Sequence, residues 1–227
     1  MIGSRIGVAV ALLLASEQAS AETILIDVGR DTTLIEEPDG ALANGSGPVF
    51  FVGRTNQGQN SVRRGLIYFD VAAALPRNAR VESVRLTLYV SPSNSTPHSI
   101  GLHRLLVEWG EGASSASGGS GDVSAPGDAT WIHTFYDDEF WVHRGGHFVA
   151  RASASREVAA SAFYAWQSTP RMVADVRRWL MAPHRNFGWI LLGNETASGT
   201  VKSFASREEP DLSLRPVLEV TYQLRDD

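Results

Sequence analysis

The sequence predicts an all-β fold, an antiparallel sandwich or barrel, with one short α-helix near residues 170–181. Three observations carry this. VESVRLTLYV (81–90) alternates strictly, with Val84, Leu86, Leu88 and Val90 on one face and Arg85, Thr87 and Tyr89 on the other, the period of a half-buried strand. Short β-branched and aromatic runs recur along the chain between clusters such as DGALANGSGP, NQGQN and SPSNSTP, which are turn-forming compositions. Only STPRMVADVRRWLMAP has helical spacing, so strands dominate.

In chain order, the first segment is not part of the fold. Residues 1–5 carry one positive charge, and residues 6–15 (IGVAVALLLA) form an apolar run too short to span a membrane comfortably. Ala19-Ser20-Ala21 has the small residues of a cleavage site. Residues 1–21 therefore read as a secretory signal peptide, with a mature N-terminus at Glu22 and a secreted destination, extracellular or periplasmic. The alternative is an N-terminal anchor helix. The further strands expected are TILIDV (23–28), VFFVGR (49–54), RGLIYFDV (64–71), IGLHRLLV (100–107), FGWILLG (187–193), VKSFAS (201–206) and PVLEVTY (216–222). In the helix, Met172, Val173, Val176, Trp179 and Leu180 make one apolar stripe. Thr169 caps it, Pro170 suits its first turn and Pro183 ends it. Arg171, Arg177 and Arg178 fall on its wetter side.

EWGEGASSASGGSGDVSAPGDATW (108–131) has linker composition but lies within one domain. Neither side of it supplies a complete set of strands, a sandwich needs its last strand to pair near its first, and Trp109 and Trp131 bracket it. A single domain over residues 22–227 with a long internal loop around 110–148 follows, and residues 114–126 are expected to be solvated and dispensable. The chain has no cysteine, so disulfides, thiolate metal sites and thiol catalysis are excluded. Its net charge of −5 gives no overall electrostatic footprint for nucleic acid. Beyond the leader, no apolar segment is long enough to span a membrane. The oligomeric state is not readable.

Immediately after the Gly/Ser stretch, WIHTFYDDEFWVHRGGHF (131–148) concentrates six of the 20 aromatics and three of the six histidines. Aromatic planes of this kind stack sugar rings while polar neighbours take the hydroxyls; they equally supply a long loop with its own small core. The candidate ligand-binding residues are Trp131, Phe140, Trp141 and Arg144, with Trp141 expected to hold a face open to solvent. Asp137, Asp138 and Glu139 are hard oxygen ligands of the type calcium takes, without EF-hand spacing; the competing reading is an acidic turn in solvent. A structural calcium ion is the one cofactor suggested. His143 and His147 have a zinc-like spacing, but Gly145 and Gly146 oppose the helix it needs. No Gly-x-Ser-x-Gly elbow is present. A carboxylate pair for glycoside hydrolysis depends on separation in space, with Asp27, Asp31, Asp70, Glu108, Glu111, Glu195 and Glu208 available.

Several stretches in order, RRGLIYFDVAAALPRNARVESVRLTLYV, LHRLLVEWGEGAS, GDATWIHTF, FWVHRGGHF, MVADVRRWL, NFGWILLGNE, FASRE and RPVLEVTY, resemble the secreted bacterial domain family DNRLRE, related to a carbohydrate-binding module that recognises alginate. The resemblance spans about residues 31–222. It implies a jelly-roll β-sandwich without catalytic activity. It also implies Asp70 capping the turn before Leu75-Pro76, and Arg207 and Glu208 pairing across the last strands or with Asp175. His147 stands where the pattern leads one to expect an acid, which puts any ion held there in doubt. The expectation is a secreted, non-catalytic module binding glycan or extracellular polysaccharide. The alternatives are a structural or adhesive surface or matrix protein without sugar affinity and, behind it, a polysaccharide-active enzyme.

Overall fold

The computed structural model of the chain describes residues 20–225; the expected leader lies almost wholly outside them. Chain order is β1 (Glu22–Asp27), β2 (Arg30–Ile35), β3 (Leu42–Ala43), β4 (Val49–Arg54), β5 (Val62–Tyr68), α1 (Val71–Ala74), β6 (Ala79–Tyr89), β7 (His98–Arg104) and β8 (Asp122–Val123). Then follow β9 (His133–Phe135), β10 (Glu139–Phe140), β11 (Ala154–Val158), β12 (Phe163–Trp166), α2 (Pro170–Met181), β13 (Trp189–Leu192), β14 (Lys202–Ala205) and β15 (Val217–Leu224). The fold is mostly β, and the strand pairings among the described residues are antiparallel. No helix among them is long and apolar enough to cross a membrane.

Two sheets dominate. One has the order β1-β15-β6-β12, so the first strand lies beside the last, with Ile24 opposite Val220. The other is a curled seven-stranded sheet, β11-β7-β13-β5-β4-β14, with β2 also on β5. Val84, Leu86, Leu88 and Val90 are fully buried, as the alternation in β6 requires. They join Leu218 and Val220 of β15, and Phe50, Ile67, Leu102, Trp189 and Phe204 of the larger sheet, in one apolar cluster. Changing Leu86 or Leu88 to Ala is expected to cost about 2–5 kcal/mol, read from denaturant melts.

Helix α2 forms where its spacing places it. Thr169 Oγ1 accepts from the Met172 amide (3.1 Å), Pro170 opens the first turn, and the stripe Met172, Val173, Val176, Trp179 and Leu180 is buried. The Trp179 ring meets Trp189 at 4.5 Å. Asp70 caps α1, accepting from the Ala73 amide.

The larger sheet is covered on both faces. While Ile67, Trp189 and Leu191 point into the main core, Leu66 and Ile190 point away, into a second cluster with Leu34, Leu105, Trp109, Ala129 and Trp141. The long loop supplies that second cover, so β13 (WILL) reads as an unbroken apolar run, as does the Leu66-Ile67 step of β5. The expectation that residues 114–126 are a loose, solvated stretch is met only in part: Ser115, Ser117, Gly118, Ser120, Asp122, Val123 and Pro126 are exposed, but Ser114 and Ser124 are buried and the backbone is tied down. The Ser46 amide donates to Ser114 O (2.8 Å), the Ala116 amide to Asn44 Oδ1 (2.8 Å) and Ser124 Oγ to Gly40 O (2.9 Å), and β8 pairs with β3. Gly121, with φ of +77°, has to be small because a Cβ there would strike Ile35, whereas Gly118 faces open space.

Candidate functional site

The 131–148 segment is ordered around the short hairpin β9–β10, where Phe135 lies opposite Glu139 and His133 opposite Phe140. Its inner side is locked. Trp141 is 6% exposed, packs in the second cluster and donates Nε1–H to Thr130 O (2.8 Å). The expectation of an open Trp141 face is therefore overturned: an indole in this loop gains more from apolar contact and a satisfied N–H than from solvent. His133 is buried beneath, its backbone amide donating to Thr130 Oγ1 (3.0 Å), and burial lowers its pKa against the pull of Asp137.

Trp131 is half-buried. The Arg64 guanidinium lies 4.8 Å from its ring centre, a cation–π contact. Arg64 is itself held by both oxygens of Glu195 (2.7 and 2.9 Å) and donates to Gly145 O (2.6 Å). Here the glycine pair is explained. Gly145 and Gly146 have φ of +80° and +110°, and a Cβ on Gly145 would strike both Arg64 and the Trp131 ring. Arg144, just before them, is exposed.

Phe140 is the outward element. It is 62% exposed, and its ring lies 4.5 Å from that of the buried His133. Beside it runs an open groove of about 430 Å³ lined by Phe135, Tyr136, Asp137, Asp138 and Glu139. The three acids are exposed. Among the described residues no three His, Asp or Glu side chains form a group that could hold a metal ion. The His143 and His147 rings lie 5.8 Å apart. The arrangement offers an aromatic surface with carboxylates at its margin, chemistry suited to the C–H face and hydroxyls of a sugar.

Three of the seven candidate carboxylates meet elsewhere, around Arg207. Its guanidinium pairs with Glu111 (2.7 Å) and Glu208 (2.9 Å), its amide donates to Asp31 Oδ2 (2.7 Å), and the Asp31 amide donates to Glu111 Oε1 (2.9 Å). Asp175, the expected alternative partner, instead pairs with Arg104 (3.0 Å). Asp31 is 1% exposed, so its carboxyl faces protein and not a substrate. Burial pushes its pKa well above 3.8, the neighbouring Glu208 and Glu111 adding to the rise against the Arg207 amide. The folded chain therefore binds more protons than the unfolded chain as pH climbs from about 3.8, and this group's contribution to stability falls across that window. Asp31→Asn, which keeps the acceptor for the Arg207 amide, is expected to remove that decline and to melt no lower than wild type at pH 7. Melting temperatures of both proteins from pH 4 to pH 8 check this, and parallel curves would show that Asp31 is not the titrating group.

Sequence reasoning missed two buried cations, Arg63 and Lys202, 1% and 0% exposed. For Lys202 a signal exists: it shares the inward phase of β14 with Phe204. Comparison of the chain with protein-family models and with curated proteins finds no match.

Proposed function

We propose that this chain is an exported, non-catalytic module of the DNRLRE type, its two sheets packed as a jelly-roll β-sandwich, that binds glycan at the aromatic edge of the 131–148 segment. The single observation that carries the reading is Phe140. Its ring is 62% exposed and Val142, two residues on, is 66% exposed, while Trp141 between them turns inward, so the hairpin presents a free aromatic face of the kind a sugar ring stacks on. Because the hairpin beneath is fixed by His133, Thr130 and Trp141, the ring is presented without an ordering cost on binding. Asp137, Asp138 and Glu139 flank it as acceptors for sugar hydroxyls. The apolar join of the two sheets through one cluster supports the sandwich reading.

A second reading, a structural or adhesive surface protein without sugar affinity, is favoured by the burial of Trp141 and by the packing of Trp131 and Phe148 against the second cluster. A glycan array probed with the exported protein separates the two. Binding to a defined sugar set supports the module, and a blank array favours the structural protein.

A further inference from the structure

The two main sheets differ in what covers them. The larger is buried on both faces, by the main core and by the second cluster. The four-stranded sheet β1-β15-β6-β12 gives one face to the main core, through Ile26, Val84, Leu86, Leu88, Leu218 and Val220. The residues that alternate with these point the other way. That outer face stays open, with Leu25 63% and Phe163 53% exposed.

An antiparallel face turned to water is ordinarily polar. This one carries a broken apolar belt from edge to edge: Leu25 on β1, Val217 on β15, and Tyr89 on β6, whose ring meets Phe163 of β12 at 5.0 Å. Near its middle, Arg85 of β6 lies directly opposite Glu219 of β15 in the register. Opposite charges so placed usually pair across the strands. Here neither is in an ion pair among the described residues. The face therefore presents one unpaired charge of each sign, side by side, on the two central strands.

We propose that this face is an interface with a second copy of the chain, the two sheets packing face to face about a two-fold axis that runs along the strands between β6 and β15. Rotation about that axis lays β15 of one copy over β6 of the other without shifting the row. Glu219 then meets Arg85 of the partner subunit, and Arg85 meets Glu219 of the partner subunit. Val217 falls over Thr87 of the partner subunit, because Val217 and Thr87 are also opposite each other in the register. The charge pattern is what selects a second copy: it is complementary to itself under this rotation, as a closed isologous contact requires. Four strands about 4.8 Å apart and some six residues long give a face of roughly 19 by 20 Å. That is small beside the ~800 Å² per partner of a standard stable interface, so the dimer is reversible. The proposal uses no residue of the 131–148 segment and does not rest on the glycan reading.

The test is sedimentation velocity of the exported protein over a concentration series reaching about 500 µM, the range in which a weak contact is populated. Wild type is expected to shift from monomer to dimer along the series, and less so as salt rises. Arg85→Glu and Glu219→Arg, each alone, set like charges against each other across the axis and are expected to weaken the dimer at least tenfold. An equimolar mixture of the two single variants is expected to dimerise although neither does so alone, because each supplies the charge the other lacks. The double variant Arg85→Glu/Glu219→Arg is expected to regain the wild-type dimer. Thermal melts check that the variants fold. Should a charge variant unfold, Leu25→Gln keeps the test valid: it is 63% exposed, the rotation places it over the end of the partner's β12, and a loss of at least threefold is expected. Wild type that stays monomeric throughout, which leaves the face bare or to another partner, overturns the proposal. So does a dimer that neither charge variant weakens, or one that the charge exchange fails to restore.

Discussion

Lys202→Met is expected to lower stability by about 3 kcal/mol, or roughly 6–12 °C in melting temperature for a domain of this size. The Lys202 ammonium is fully buried and donates to four neutral oxygens: Asn94 O (2.6 Å), Asn94 Oδ1 (3.0 Å), Thr96 O (2.8 Å) and Ala159 O (2.8 Å). No carboxylate takes part. Methionine matches the stem in volume, so the loss comes from the acceptors and not from a cavity. A buried ion pair replaced by apolar residues on both sides can be neutral; here the partners include three backbone carbonyls, which no side-chain substitution removes. They must stay unpaired or draw water in, and the turns before β7 and between β11 and β12 then loosen. Differential scanning calorimetry with hydrogen exchange at residues 94–99 reads both effects. An unchanged melting temperature would mean that these carbonyls find solvent without the lysine.

Arg63→Leu has the second large expected effect, about 3–5 kcal/mol. Arg63 is 1% exposed and donates to Asn60 O (2.8 Å), Val62 O (2.8 Å), Gln57 Oε1 (2.8 Å) and Gly119 O. Burial lowers its pKa to about 10, partly offset by Glu36. Gly119 belongs to the Gly/Ser stretch, so one guanidinium ties that stretch to the start of β5. Leucine would leave the Gly119 carbonyl and the Gln57 amide oxygen without their donor. Limited proteolysis is expected to cut the variant within residues 114–121 at a rate at which wild type is intact. Equal resistance in both would show that Asn44 and Ser46 hold the loop without Arg63.

These two residues also mark where the sequence stops being legible. Strands with one wet face, above all β6, announce themselves through alternation. So does α2, because an amphipathic stripe and a Thr-Pro start are local properties. β2 escapes, since Asp31, Thr32 and Thr33 look like loop residues yet are buried and hydrogen-bonded to partners far along the chain, such as the Thr33 hydroxyl accepting from the Phe51 amide. The Gly/Ser segment reads as solvated because composition does not show that Arg63, Asn44 and Ser46 wait to bind its backbone. At the site, the sequence marks the aromatic segment but not the direction of each ring. Trp141 and Phe140 are adjacent, and which of them faces inward depends on the hairpin register and on the Thr130 carbonyl, neither of which is local.

The inward and outward placement of that neighbouring pair is the centre of the functional account, and one paired measurement tests it. Phe140→Ala and Trp141→Ala are compared with wild type by thermal melts and by affinity electrophoresis on the glycan that the array identifies. Phe140→Ala is predicted to lose retardation while its stability stays within about 0.5 kcal/mol of wild type. Trp141→Ala is predicted to lose roughly 3–5 kcal/mol. Full retardation of Phe140→Ala, or its destabilisation by as much as Trp141→Ala, would contradict the account and leave the aromatic segment a purely structural cover for the second core.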